Sequence, residues 1–195
     1  MYIIPAPTFM TYLKWFFLSV INLPLKYFVA WPLTPFIVLC VNKDGELPNW
    51  LFWFTTHDNL KLQDDGWIKE SRPFLNESNR FKRYINRCFW LWRNSLYGFN
   101  HSVLSLESGI GVEKLITKGD DNVGNGPAGH SGLVRRYLYR NGDLIAFQWY
   151  YVKQLKHLPR KCIRINLGWK LWAWKQGESN RMHVTLSGWL HKFTP

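Results

Sequence analysis

Several absences narrow the field. Cysteine is scarce: Cys40, Cys88 and Cys162 are isolated, odd in number and without a CxxC pair. That excludes a disulfide framework and favours reduced thiols in apolar surroundings, on the cytosolic side of a membrane. Carboxylates are few, 13 Asp and Glu against 25 Lys and Arg, for a formal net charge of +12. The imbalance favours an anionic partner, lipid headgroups or nucleic acid; general solubility is the plainer alternative. It is uneven, with 11 basic and 7 acidic residues in 1–98 and 14 and 6 in 99–195. No GxSxG, HExxH, P-loop or zinc-site spacing occurs, which weakens an enzymatic reading, and no cofactor is expected.

A long uncharged apolar run is missing too. Residues 9–41 are mostly apolar, but Lys14 and Lys26 leave only 11 residues between them, and the longest uncharged run is 27–42. A bilayer span needs about 20. No basic n-region or cleavage site marks a signal peptide. Pro24, Pro32 and Pro35 interrupt any helix, because proline lacks the N–H and clashes with the preceding turn. The pattern predicts two helical pieces, 9–22 and 25–41, joined by a Pro-rich kink and closed by the polar turn 42–47. An interfacial or re-entrant anchor fits best; one true span and a hairpin buried in protein are the alternatives. Lys14 and Lys26 could snorkel to headgroups, and Trp15, Tyr27 and Trp31 could sit at the membrane interface.

What is plentiful is aromatic: 17% of residues, including 12 Trp. Such rings suit cores, interfaces and the headgroup level of a bilayer. Residues 47–99 hold the densest mixture of rings and charges. After the aromatic stretch 50–54 come His57, Asp58, Asn59, Asp64, Asp65, Glu70 and Arg72, on what reads as a loop. His57 with Asp58, Asp64 or Asp65 could work as an acid/base pair or hold a divalent cation, with Glu70 and Arg72 nearby. The plainer alternative makes the acids turn and capping residues on a solvated face.

Residues 78–97 predict a helix capped by Ser78 or Asn79. An apolar stripe runs through Phe81, Tyr84, Ile85, Cys88, Phe89 and Trp92, with Arg80, Arg83 and Arg87 off it. Such a basic amphipathic helix docks on anionic lipid or packs against the sheet with its Arg heads in water.

The strings THDN, GW, RPF and WLWRNSLYGF, with FQWYYV and RINLGWKLW later, resemble a family of small uncharacterised, membrane-associated proteins encoded by tailed bacteriophages. His57, Asp58, Asn59, Trp67, Arg72, Arg93, Asn94, Tyr97 and Gly98 carry the resemblance. It implies phage origin and brings no assigned activity.

The C-terminal half reads as strands. Asn141-Gly142 between two apolar runs signals a hairpin with a type I′ turn. Residues 162–172 and 181–189 alternate with period two, and Glu113–Lys118 adds a fifth strand. Residues 119–132 form a Gly/Asn/Asp-rich loop containing His130. If 162–172 pairs with 181–189, Arg164, Asn166, Lys170, Arg181 and His183 would share a polar face able to receive phosphate or carboxylate; a wet outer face is the plainer alternative.

The expected fold is therefore α+β. It has a hydrophobic helical anchor in residues 1–46 and a single domain over 47–195. That domain holds one amphipathic helix and an antiparallel meander of four to five strands, its apolar face on the helix. The expected function is a membrane-associated accessory or interaction protein on the cytoplasmic face of the host inner membrane. A hydrolase-like enzyme and a virion component oligomerising through Trp-rich surface are the alternatives. Expected partners are anionic membrane lipid and a host or phage protein, with nucleic acid as a fallback.

Overall fold

The computed structural model describes residues 9–56, 60–62, 79–123 and 131–192, apart from the side chains of 159, 160, 173 and 189–192. The architecture is α+β. The chain divides into two compact units: the described residues within Met1–Ser19 and Ser105–Pro195, and those within Val20–Leu104.

The first unit is built on a five-stranded antiparallel sheet in the order β2 (Glu113–Gly119), β3 (Gly132–Arg140), β4 (Asp143–Leu155), β5 (Leu158–Trp169) and β7 (Val184–Lys192). The hairpin expected at Asn141-Gly142 forms, with both residues at positive φ, 51° and 93°. This is the geometry a type I′ turn demands. The fifth strand at Glu113–Lys118 also forms, as β2.

The run 181–189 behaves differently from the expected single strand. It divides at His183: β6 (Asn180–Met182) pairs with β1 (Leu106–Ser108) in a separate two-stranded ribbon, and β7 alone joins β5. The physical reason lies in one backbone hydrogen bond. The His183 carbonyl accepts the Lys170 N–H at 2.9 Å, a bond that ties the strand switch to the end of β5.

One face of the sheet carries Phe147, Trp149 and Trp169, and a helix covers it. Helix α1 (Phe9–Pro24) presents Thr11, Tyr12 and Trp15. The Thr11 hydroxyl donates to the Leu144 carbonyl at 2.7 Å, and the Trp15 indole donates to that of Thr185 at 3.0 Å. Tyr12 and Phe147 stack with centroids 4.4 Å apart. Thr11, Tyr12 and Trp15 fall within little more than one turn, so one side of the helix makes these contacts.

The second unit holds α2 (Trp31–Leu39), a 3-10 helix at Asn49–Phe54 and α3 (Arg80–Arg93). Its core joins Ile37 and Val38 of α2 to Leu47, Leu51, Leu62, Cys88, Trp90 and Leu91. Asn79 caps α3 as expected, its side-chain oxygen accepting from Phe81 N and Lys82 N at 2.9 and 3.2 Å. Within its unit α3 packs on α2. The buried positions are Asn86, Cys88, Trp90 and Leu91, while Phe81 and Phe89 of the expected stripe are exposed. Cys88, Tyr84 and Trp92 of the stripe do pack on the core, but aromatic spacing alone does not distinguish the packed rings from the exposed ones.

Candidate functional site

The helical line from Phe9 to Leu39 is continuous, 31 residues long. The expected pieces are present, but no break separates them: Leu25–Ala30 forms π-helix between α1 and α2. The wider turn absorbs the proline region without ending the helix. Pro35 has no N–H to give the carbonyl of Trp31, four residues back. The Trp92 indole of α3 supplies the missing donor at 3.0 Å, and Tyr84 of the same helix donates its hydroxyl to the Pro35 carbonyl at 3.0 Å. The backbone defect thus becomes a fastening point for α3. Burial pushes the Tyr84 phenol above its ordinary pKa, and the nearby Cys88 adds to this.

Within each unit this helical line leaves apolar side chains uncovered. In the sheet unit Phe9, Met10, Phe16 and Phe17 stand outward from the Thr11–Trp15 stripe, with Phe16 53% exposed. In the second unit Val20, Ile21, Phe28, Leu33, Phe36 and Leu39 are exposed, with Phe28 at 81%. Trp50 and Phe52 of the 3-10 helix and Phe81 and Phe89 of α3 add rings, beside exposed Arg80, Arg83 and Arg93. Soluble monomers rarely expose large rings in such density.

The five expected interface residues divide. Lys26 lies 5.3 Å from the Tyr27 ring centroid and Tyr27 stacks edge-on against Trp31 at 4.9 Å, so these three form one group. Lys14 is exposed. Trp15 is turned into the sheet, where its indole N–H and ring are both engaged.

The string WLWRNSLYGF has a structural reading of its own. Asn94 and Ser95 return their side chains to the Trp90, Leu91 and Trp92 carbonyls at the end of α3. Leu96 then turns left-handed at φ 51°, a conformation uncommon for a bulky residue. Gly98 follows, where an added Cβ would lie 2.0 Å from the Phe52 carbonyl oxygen. The motif stops a helix and packs its exit against the 3-10 helix.

The polar face of the sheet brings a different set together from the one expected. Arg164 is on β5, but Arg181 belongs to the β1–β6 ribbon, paired with Glu107 in register. His183 is buried at the switch between β6 and β7, and Lys170 follows β5. Around Arg164 the sheet places Tyr150, whose ring lies 5.8 Å below its guanidinium, and Asn166. Next to these a polar row crosses the sheet, buried at Arg136 and Gln148. Arg136 donates to Asp121 (Nε to Oδ1, 3.1 Å) and to Gln148 Oε1 at 3.1 Å, and Gln148 Nε2 donates to Asn166 Oδ1 at 3.0 Å. Burial pushes the Tyr150 phenol above its ordinary pKa, with the neighbouring Arg164 and Arg136 charges opposing. Sequence reading missed Arg136 and Gln148. Their only sequence signal is a charged and an amide residue in the middle of two otherwise apolar strands.

Elsewhere on this unit Glu113 accepts from Gly109 N and the Trp174 indole, each at 3.0 Å, and from Arg140 at 2.7 and 3.0 Å. Burial alone would raise its pKa; these donors and the Arg140 charge outweigh it and hold the carboxyl below its ordinary value.

The expected catalytic group of His57, Asp58, Asp64, Asp65, Glu70 and Arg72 lies outside the described residues, as does His130. Among the described residues no three His, Cys, Asp or Glu side chains gather as a metal site. Cys40 is exposed and free, and Cys88 and Cys162 are buried and free.

Taken together, the chain is an α+β protein: a five-stranded antiparallel meander and a helical unit, linked by a long apolar N-terminal helix. It belongs to a family of unknown function, DUF7338, matched over residues 7–192. Comparison with the curated proteins and with the solved structures found no match.

Proposed function

We propose that this chain is a membrane-associated accessory or interaction protein that lies in the plane of the bilayer surface. In this reading it is encoded by a tailed bacteriophage and works at the cytoplasmic face of the host inner membrane. The observation that carries the reading is the apolar surface that residues 9–39 leave bare in each unit. In one unit Thr11, Tyr12 and Trp15 are committed to protein, and in the other Ile37 and Val38 are. In each, a succession of Phe, Val, Ile and Leu side chains remains exposed.

A helix of 31 residues is about 46 Å long, enough to cross a hydrocarbon core of about 30 Å. Crossing is nevertheless the weaker option. The sheet bound to residues 11–15 carries Arg135 and Lys118, and it would have to follow the helix into hydrocarbon. Lying in the interface buries the exposed apolar side chains and leaves the sheet in water. The arginines of α3 then meet anionic headgroups. A free, exposed Cys40 fits a reducing compartment. The string resemblance, from THDN to WLWRNSLYGF, supports phage origin.

Deleting the first 46 residues is a poor test, because it strips Thr11, Tyr12 and Trp15 from the sheet. Substituting the exposed positions is cleaner. The full-length chain should pellet with membranes from expressing cells and float with vesicles containing phosphatidylglycerol. The double variant Phe16→Glu with Phe28→Glu should move to the soluble fraction with its circular dichroism unchanged. A wild-type chain that stays soluble and monomeric, or a double variant that still floats, sinks the proposal. Soluble wild-type oligomers that the same variant dissociates would favour the virion or assembly reading. Extraction by carbonate would separate surface binding from a span.

A further inference from the structure

The geometry points to a phosphate-binding site on the polar face of the sheet, built from Arg164, Asn166 and Tyr150 and aimed by the polar row behind them. This is independent of how the helix meets a membrane.

The argument starts from donor inventory. A guanidinium can only donate, so Arg136 obliges Gln148 to turn its amide oxygen toward it. The amide nitrogen of Gln148 then points the other way and must find an acceptor, which is Asn166 Oδ1 at 3.0 Å. Asn166 is left with its NH2 group facing onward, where it meets no partner among the described residues. Asp121 anchors the far end by accepting from Arg136. The row Asp121–Arg136–Gln148–Asn166 therefore has a direction: it begins at a carboxylate and ends at an outward donor.

Beside that donor stands Arg164. Its guanidinium lies on the Tyr150 ring, and no carboxylate pairs with it among the described residues. Its Nε is buried and has no hydrogen-bond partner among the described residues. Tyr150 and Asn166 are directly opposed across β4 and β5, and Ser187 opposes Asn166 from β7. Tyr150, Arg164, Asn166 and Ser187 are all partly exposed, so the group opens to solvent. The outward chemistry is the two terminal nitrogens of Arg164, the Asn166 amide and the Tyr150 and Ser187 hydroxyls. That is one unpaired positive charge with neutral donors around it, which suits an oxyanion. Four donor groups exceed what the two oxygens of a carboxylate use in one plane. The three terminal oxygens of a phosphate group can take them all.

Two sources present that chemistry, a free phosphate and the headgroup of a phosphomonoester lipid. The test uses the full-length chain in mild detergent. Inorganic phosphate is titrated calorimetrically at low ionic strength, and binding to phosphatidylcholine vesicles with and without phosphatidic acid is measured in parallel. Wild type should bind inorganic phosphate, and Arg164→Gln should weaken it at least tenfold. Asn166→Asp should do the same, since it still accepts from Gln148 while turning the outward donor into a negative acceptor. Tyr150→Phe should weaken binding about threefold, and Arg135→Gln, on the opposite face, should leave it unchanged. Circular dichroism and melting temperature establish that each variant is folded.

If free phosphate fails but phosphatidic acid vesicles bind in an Arg164-dependent manner, the site stands and the source is the headgroup. The Phe16→Glu, Phe28→Glu chain should still titrate with inorganic phosphate, which separates this site from the membrane reading. Absence of both kinds of binding in wild type overturns the site. Binding that survives both Arg164→Gln and Asn166→Asp does so too.

Discussion

Gln148 in the sheet unit and Asn86 in the helical unit are both shut off from solvent, at 0% and 1% exposure. Gln148 uses both ends of its amide, one on Arg136 and one on Asn166. Asn86 uses neither: its oxygen and its nitrogen are buried without a partner among the described residues. The difference follows from the architecture around them. A sheet places the residues of neighbouring strands side by side at fixed register, so a row of polar side chains across it can be satisfied link by link. Asn86 is buried on a helix whose other buried residues, Cys88, Trp90 and Leu91, belong to an apolar core. Gln148 therefore joins neighbouring strands through satisfied polar links, while Asn86 carries polarity that costs the helical unit stability.

That contrast can be broken by substitution. Gln148→Leu should be the most damaging, since it orphans a buried Arg136 nitrogen and the Asn166 oxygen together. A loss of about 2–4 kcal/mol in denaturant unfolding is expected. A loss below about 0.5 kcal/mol would mean the row is loosely formed or wetted. Asn86→Leu should act in the opposite direction, raising stability by about 1–2 kcal/mol as two unsatisfied groups are removed and apolar surface is added. If Asn86→Leu destabilises instead, Asn86 has a partner in the working protein, and the two units are less different than they look.

The proline region sharpens the comparison on the helical side. Trp92→Phe removes the donor to the Trp31 carbonyl and should cost about 1 kcal/mol. Pro35→Ala restores a helical N–H to that carbonyl, so in its background the same Trp92→Phe change should cost less. A double-mutant cycle with no coupling would show that the indole bond adds nothing to the fastening of α3.

The smallest expected effect is on acid sensitivity. The Glu113 carboxyl is held below its ordinary pKa of 4.5. Its contribution is therefore fully present above about that pH and drains away as pH falls through the lowered value. The sheet unit of wild type should weaken progressively below pH 4.5, while Glu113→Gln should be less stable at neutral pH and flatter in that acid range. Unfolding midpoints monitored by circular dichroism across the range would show it, and parallel curves would remove Glu113 from the account.

Much of the sheet was legible because its signals are local. Asn141-Gly142 demands a turn whatever surrounds it, and Ile163, Ile165, Leu167 and Trp169 declare their common face by alternation alone. The α3 cap at Asn79 was equally readable. Partnership was not. The aromatic spacing of 81–92 could not tell that α3 packs against α2, nor that Trp15 would turn into the sheet while Phe16, its neighbour, would not. The polar site was half legible: Arg164 stood out as a charge on an alternating strand, but Lys170, Arg181 and His183 were joined to it by assuming one continuous strand through 183. A strand switch depends on which carbonyl meets the Lys170 N–H, and that is settled by distant residues.

By itself, then, the sequence determined the elements. It set an apolar N-terminal helix, a capped basic helix and a run of alternating strands, because propensity, capping and periodicity act over a few neighbouring residues. Only the tertiary structure decided which side of the N-terminal helix is spent on the sheet and which stays bare. Only it aligned Asp121, Arg136, Gln148 and Asn166 into a directed row that ends beside Arg164. The first depends on contacts between residues more than a hundred positions apart, as Thr11 and Leu144 are, and the second on strand register linking residues 12 to 18 positions apart. No local preference encodes such distances.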